Sequence, residues 1–171
     1  MKLTLVRPES SLKESYLRAL KDFQAEGLPW MVDLDAEAMA LNFDAYVEKL
    51  LQASVTRTLQ LVPETVLWAV ASDEFVGRIS IRHELNENLR ILGGHIGYET
   101  APAFRKKGVA SAMLAQALVV AKGLGLNEVL ITCDDSNRGS IKVIEKNGGR
   151  LQKKALLSHN KPMKCYYLIT L

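Results

Sequence analysis

The sequence predicts a mixed α/β fold, a mostly antiparallel sheet with helices on both faces. Two apolar runs, Thr65 to Ser72 and Phe75 to Arg82, are separated by a link too short for a crossover, so they read as an antiparallel hairpin. Helical stripes at i, i+4 spacing precede that hairpin and follow it. A strand, a long amphipathic run and another strand, from Gly94 to Cys133, form a βαβ unit, for which parallel pairing is expected.

Taken in order, Leu3 to Val6 alternates into an edge-like strand ended by Pro8. Ser10 or Ser11 can cap a helix, with Glu14 completing a capping box. Leu12, Tyr16, Leu20 and Phe23 form its buried stripe, and Gly27 and Pro29 stop it. Trp30 and Trp68 read as core or cleft-wall aromatics. Asp33 or Asp35 opens a second helical region carrying Met39, Phe43, Tyr46, Val47 and Leu50, and Pro63 closes the connection to the hairpin. Leu85 to Leu92 is polar and reads as a loop over the substrate opening. Gly94 to Thr100 is a strand, and Val109 to Lys122 a helix that turns Val109, Met113, Leu114, Ala117, Leu118 and Ala121 inward before Gly123 and Gly125 end it. Val129 to Cys133 is a short strand, Ser140 to Lys146 a helix stopped by Gly148-Gly149, and Arg150 to Leu157 with Lys164 to Leu171 a closing hairpin. His159, in the turn with Asn160 and Pro162, is expected in solvent.

The 171 residues are expected to form one domain, 1–171, with a full core. A net charge of +3 gives no ground for nucleic-acid binding, although a local positive mouth can attract an anion. No apolar run is long enough to span a membrane and the N-terminus lacks the apolar core of a signal peptide, so a cytoplasmic location is the default expectation. Cys133 and Cys165 lack metal-site or disulfide-framework spacing and are expected to be buried in strands, and no metal is expected. A thiol role for Cys133 stays open, since it precedes the chemistry-bearing segment at Asn137.

The segment Arg105-Lys106-Lys107-Gly108-Val109-Ala110 carries the most chemistry. It joins a strand to a helix start, where the first backbone N–H groups lack intrahelical partners and the helix dipole favours an anion. Gly108 lets a ligand approach the backbone, and Arg105, Lys106 and Lys107 add full charges. The alternative is a solvated basic turn. Neither a Gly-x-Gly-x-x-Gly fingerprint nor a Gly-x-x-x-x-Gly-Lys-Ser/Thr loop is present.

Arg105-x-x-Gly108-x-Ala110, with Pro102 before it, resembles the acyl-CoA signature of the GNAT superfamily of N-acetyltransferases. Asn137-Arg-Gly-Ser140-Ile-Lys-Val-Ile144-Glu-Lys-Asn-Gly148-Gly149 resembles the family's second signature, and the likeness covers about residues 65–157. The phrases Arg82-His83-Glu84-Leu85-Asn86 and Gly93-Gly94-His95-Ile96-Gly97-Tyr98 are similar to a bacterial subgroup of predicted acetyltransferases. The resemblance implies the acyl-CoA N-acyltransferase fold, with central strands splayed to admit pantetheine, and acetyl-CoA as co-substrate. It implies that the backbone around Tyr98, Glu99 and Thr100 bonds pantetheine like an added strand. It further implies that the run Arg105, Lys106, Lys107, Gly108, Val109, Ala110 and Ser111 takes the diphosphate, and that Asn137, Ser140 and Ile144 complete the cofactor-binding set. Asn137 serves equally as a helix cap.

One position departs from the family pattern. Many members carry a Tyr seven residues after that Asn as proton donor to the leaving sulfur; here Ile144 stands there and can donate nothing. Tyr98, Tyr166 or Tyr167 can substitute, or water can suffice. For the base, His95, Gly97 and Glu99 share one strand face. A His with an ordinary pKa of about 6.5 suits the task, and a Glu does if burial raises it. The alternatives are a hydrogen-bonded core His and a solvated rim carboxylate. Arg82, His83 and Asn86 form a donor cluster that can read a carboxylate or phosphate on the acceptor; a salt-bridged strand end is the alternative.

The leading reading is an acetyl-CoA-dependent N-acetyltransferase, acting on a small-molecule or peptide amine by direct attack on the thioester, as a monomer or homodimer. The alternatives are a non-catalytic acyl-CoA-binding or sensing domain, favoured by Ile144, and an ATP-using enzyme, disfavoured by the missing Lys-Ser/Thr.

Overall fold

The computed structural model describes residues 2–27, 34–55, 61–159 and 162–171; Pro29, Trp30, Asp33 and Asn160 lie outside the described residues. Strands β1 (Thr4–Val6), β2 (Glu64–Ala71), β3 (Glu74–Arg82) and β4 (Ile96–Thr100) form an antiparallel sheet in that order. The expected hairpin is β2–β3. Its turn residues, Ser72 (φ 51°) and Asp73 (φ 60°), are both left-handed, the backbone that a tight two-residue hairpin demands. A second antiparallel sheet holds β5 (Glu128–Asp134), β6 (Arg150–Ala155) and β7 (Lys164–Thr170), with β7 in the centre.

Helices cover both faces of the first sheet. On one side, α1 (Lys13–Ala25), α2 (Ala36–Leu41) and α3 (Phe43–Gln52) bury Tyr16, Phe23, Met39 and Phe43 against Trp68 and Phe75. On the other, α5 (Val109–Gly123) and α6 (Arg138–Lys146) close a core that spans both sheets, from Ile79 and Ile81 through Met113 and Leu114 to Ile131, Cys165 and Ile169. Both cysteines are buried in strands and His159 is exposed, as expected. Among the described residues, no helix is long and apolar enough to cross a membrane.

Three local expectations need correction. No capping box starts α1: the chain enters through a 3-10 turn, Ser10–Leu12, and the α1 N-cap makes no side-chain bond. Ser10 turns instead to the Asp44 carboxylate, and Ser15 Oγ accepts the Phe75 amide at 3.0 Å. The stretch Leu85 to Leu92 is not all loop. It contains α4 (Glu87–Ile91), because Asn86 Oδ1 accepts the Leu89 amide at 2.9 Å and caps a helical turn.

The third correction positions the site. Parallel β4–β5 pairing does not form; among the described residues the two sheets meet only at the start of β4, with one isolated bridge between Gly94 and Ile131. The His95 amide donates to Leu130 O (2.7 Å), but the Leu130 amide donates back to the His95 ring Nδ1 (2.9 Å), since the His95 carbonyl is taken by the Arg82 amide (2.8 Å). A side chain thus closes the seam where a ladder would have continued, and beyond it the sheets part.

Candidate active site

The parting of β4 and β5 leaves a cleft of about 240 Å³. Tyr98 and Glu99 line it from β4, Cys133 from β5, Asn137, Ser140 and Ile144 from α6 and the turn before it, and Arg82 from the end of β3. Five expected cofactor-binding residues therefore meet one cavity, as does one expected acceptor residue. Thr132, Cys133, Asp134 and Lys164 also line it and were not singled out as a set from sequence. Alternation along β5 signals only Cys133, which shares a face with Ile131; Lys164 arrives from β7, where it pairs with Asp134, and nothing local in the sequence announces it.

Glu99 stands opposite Arg78 in the β3–β4 ladder, with Arg78 Nε 3.1 Å from Glu99 Oε2. Burial pushes the Glu99 carboxyl above its ordinary range, and Arg78 and then Arg82 pull it back down. The net effect is a carboxyl raised above its ordinary value, which makes it a better proton acceptor than a free carboxylate. His95 is placed differently. It lies at the seam, outside the cleft lining, with Nδ1 accepting from Leu130, so the neutral ring carries its hydrogen on Nε2 and has no spare lone pair. Burial, then Arg90 and Arg82, lower its pKa below 6.5.

The acceptor candidates separate. Arg82 reaches the cleft, donating from Nη1 to Gly94 O at 3.0 Å, with Nε 3.9 Å from Glu64. Thr65 stands opposite Ile81, so its hydroxyl, 2.8 Å from His83 Nε2, places the His83 ring on the sheet face away from Arg82. Asn86 spends its side-chain oxygen on the α4 cap.

β4 leads to the basic loop and α5. Gly108 is the α5 N-cap at φ 82°, and Lys106 is also left-handed at φ 58°. A Cβ at Gly108 would meet nothing within 4 Å, so the glycine serves the backbone angle and leaves open space above the helix start. The first α5 bond runs from the Ala112 amide to Gly108 O, which leaves the amides of Val109, Ala110 and Ser111 ahead of the helical ladder. Arg105 is engaged: its guanidinium grips both Glu26 oxygens (2.7 and 2.6 Å) and its Nε donates to Thr100 O at 3.2 Å. Lys107 Nζ sits 5.5 Å from the Phe104 ring centre. At the other signature, Asn137 Oδ1 caps α6 by accepting the Ser140 amide (3.0 Å). Asn147 ties the two helices, donating to Ser111 Oγ (3.2 Å) and Val143 O (2.8 Å). The Asn147 brace was not legible in the sequence, because it links groups 36 residues apart.

An opened sheet beside an anion-ready helix start suits a ligand with an extended arm and a phosphate end. Residues 2–150 match the family model described as Acetyltransferase (GNAT) domain, and the chain belongs to that family. It is an N-acetyltransferase with acetyl-CoA as co-substrate. Its fold is similar to Mycobacterium smegmatis RimJ in complex with CoA-disulfide (21% identity, TM-score 0.73, covering 98% of this chain and 81% of that one). It is also similar to the microcin C7 self-immunity acetyltransferase MccE in complex with acetyl-CoA and AMP (13% identity, TM-score 0.72, covering 99% and 93%). A third similar structure is a Salmonella typhimurium acetyltransferase that modifies the N-terminal serine of ribosomal protein L7/L12 (17% identity, TM-score 0.66, covering 100% and 96%). No curated protein sequence matches the chain.

Proposed function

We propose that the protein acetylates a primary amine of a small molecule or peptide, with the amine attacking the thioester directly in the β4–β5 cleft. The observation that carries this is the meeting of Glu99, Asn137 and Ser140 at one cavity, lined by the strand that leads through the basic loop into α5. The amides of Val109, Ala110 and Ser111, with Lys106, Lys107 and Gly108 around them, hold the diphosphate. Arg105 joins them on leaving Glu26. The β4 backbone from Tyr98 to Thr100 has β3 on one side only and takes the pantetheine arm on the other. Asn137 keeps its amide hydrogens for that arm while its oxygen caps α6, and Ser140 and Ile144 form the wall.

Glu99 removes the proton from the incoming ammonium. Its position in the cleft favours it over His95, whose ring is engaged in joining the sheets. Arg82 reads an anionic group of the acceptor, while His83 and Asn86 serve the strand end and the α4 cap. Peptide N-termini belong among the acceptors tested, because the similar Salmonella protein modifies the N-terminal serine of L7/L12.

The experiment is a screen of small amines and free-N-terminus peptides with acetyl-CoA, following release of the CoA thiol. The reading predicts acceptors that accelerate release, with anionic ones favoured. No acceleration by any amine, despite acetyl-CoA binding, would overturn it.

A further inference from the structure

Acyl transfer leaves an electron pair on sulfur, and that sulfur needs a proton. Ile144 is fully buried and carries no donor. The chain has five tyrosines, and four have hydroxyls committed elsewhere. Tyr16 and Tyr46 bond each other at 2.6 Å under α1. Tyr166 donates to Ile91 O (3.0 Å) and Tyr167 to Glu145 Oε1 (3.1 Å). Tyr98 lines the cleft, and its Oη stands 3.5 Å from Ser140 O, at the outer limit of a hydrogen bond. Ser140 and Ile144 are one turn apart on the same face of α6. A phenol from β4 thus reaches the helix face that Ile144 leaves without a donor.

We propose that Tyr98 is the proton donor to the departing sulfur, an inference that rests on the acetyl-transfer reading above. As the amine nitrogen bonds to the carbonyl carbon, the carbon–sulfur bond breaks and its electron pair stays on sulfur. Tyr98 Oη gives its proton to that sulfur, and the phenolate recovers one from water. Its long contact to Ser140 O is weak, so the hydroxyl turns to a thiolate at little cost. Burial pushes the phenol up to about 12, which keeps it protonated at neutral pH.

The test needs no acceptor. Calorimetry compares CoA with desulfo-CoA, in which hydrogen replaces the thiol, on the wild type, Tyr98→Phe and the control Tyr166→Phe. The expected result is that wild type and Tyr166→Phe bind CoA more tightly than desulfo-CoA by about ten-fold above pH 8, where a charge-assisted bond to the thiolate forms. Tyr98→Phe loses that preference and keeps its desulfo-CoA affinity. With an amine found in the screen, Tyr98→Phe lowers kcat by about 100-fold and leaves the KM for acetyl-CoA unchanged. An undiminished CoA preference in Tyr98→Phe, or equal weakening of both ligands, overturns the Tyr98 assignment and leaves the transferase reading standing. A wild type that binds neither ligand overturns both.

Discussion

Arg78 and Glu99 are cross-strand partners whose side chains meet at 3.1 Å, each about three-quarters buried (23% and 26% exposed). Glu99 is raised by burial and lowered by Arg78, so its titration responds to both. The acid limb of kcat/KM is expected above the ordinary carboxylate range. Arg78→Gln should move that limb to higher pH, and Glu99→Gln should remove it and lower kcat by about 100- to 10,000-fold. An unchanged pH profile in Glu99→Gln would remove Glu99 from the mechanism.

The same shift has a stability consequence. A carboxyl with a raised folded pKa makes the folded state bind more protons than the unfolded one. Its contribution is fully present below the unfolded value, 4.5, and is lost as pH rises through the folded value. Between pH 4 and pH 7, Glu99→Gln should therefore gain thermal stability relative to wild type, measured by the melting temperature at each pH. A constant difference would contradict the burial account.

His95 makes the opposite case. Its folded pKa is lowered, so the stability it contributes is present above 6.5 and lost as pH falls through the folded value. His95→Asn keeps an acceptor for the Leu130 amide and does not titrate, so it should flatten the loss of melting temperature between pH 7 and pH 5. His95→Ala strands that amide and should cost about 1–3 kcal/mol by denaturant unfolding. If His95→Ala is as stable as wild type, the ring does not join the sheets.

Under the proposed function, Glu26 competes with the CoA diphosphate for Arg105. The pair is partly exposed (42% and 37%) and worth at most about 1 kcal/mol, so releasing it changes affinity modestly. Glu26→Gln should tighten CoA binding by up to about five-fold, and Arg105→Ala should weaken it, both effects shrinking at high salt. Calorimetry at two ionic strengths checks this. No change in either variant would mean that Arg105 serves only to hold α1.

Gly94 and Gly108 separate space from backbone angle. Both are left-handed, but a Cβ at Gly94 would lie 2.3 Å from Leu130 O, whereas Gly108 faces open space. Gly108→Ala should cost about 1–2 kcal/mol of stability from the backbone alone. Gly94→Ala should cost clearly more, because the seam must move. Equal losses in denaturant titrations would deny that the sheets are locked there.

Much of this was legible in the sequence for physical reasons. Period-two and helical stripes located the β2–β3 hairpin and α5, because local patterning reports which face is buried. The second signature carried Asn137, Ser140 and Ile144, and the family resemblance carried Tyr98 and Glu99; all five line one cleft. What was not legible depended on partners distant in the chain. His95 shares a strand face with Glu99, yet its ring is used by Leu130, 35 residues away. Arg105 is held by Glu26, 79 residues away, and spacing around Arg105 carries no trace of it. The split between β4 and β5 was expected from the family resemblance alone; periodicity could not show it, since a βαβ pattern reads the same whether or not its strands pair.

The most direct measurement is a crystal structure of the protein with CoA. The account predicts diphosphate oxygens within about 3 Å of the Val109, Ala110 and Ser111 amides, and the pantetheine arm along Tyr98 to Thr100. A diphosphate bound elsewhere, with the start of α5 empty and the β4–β5 cleft unfilled, would contradict it.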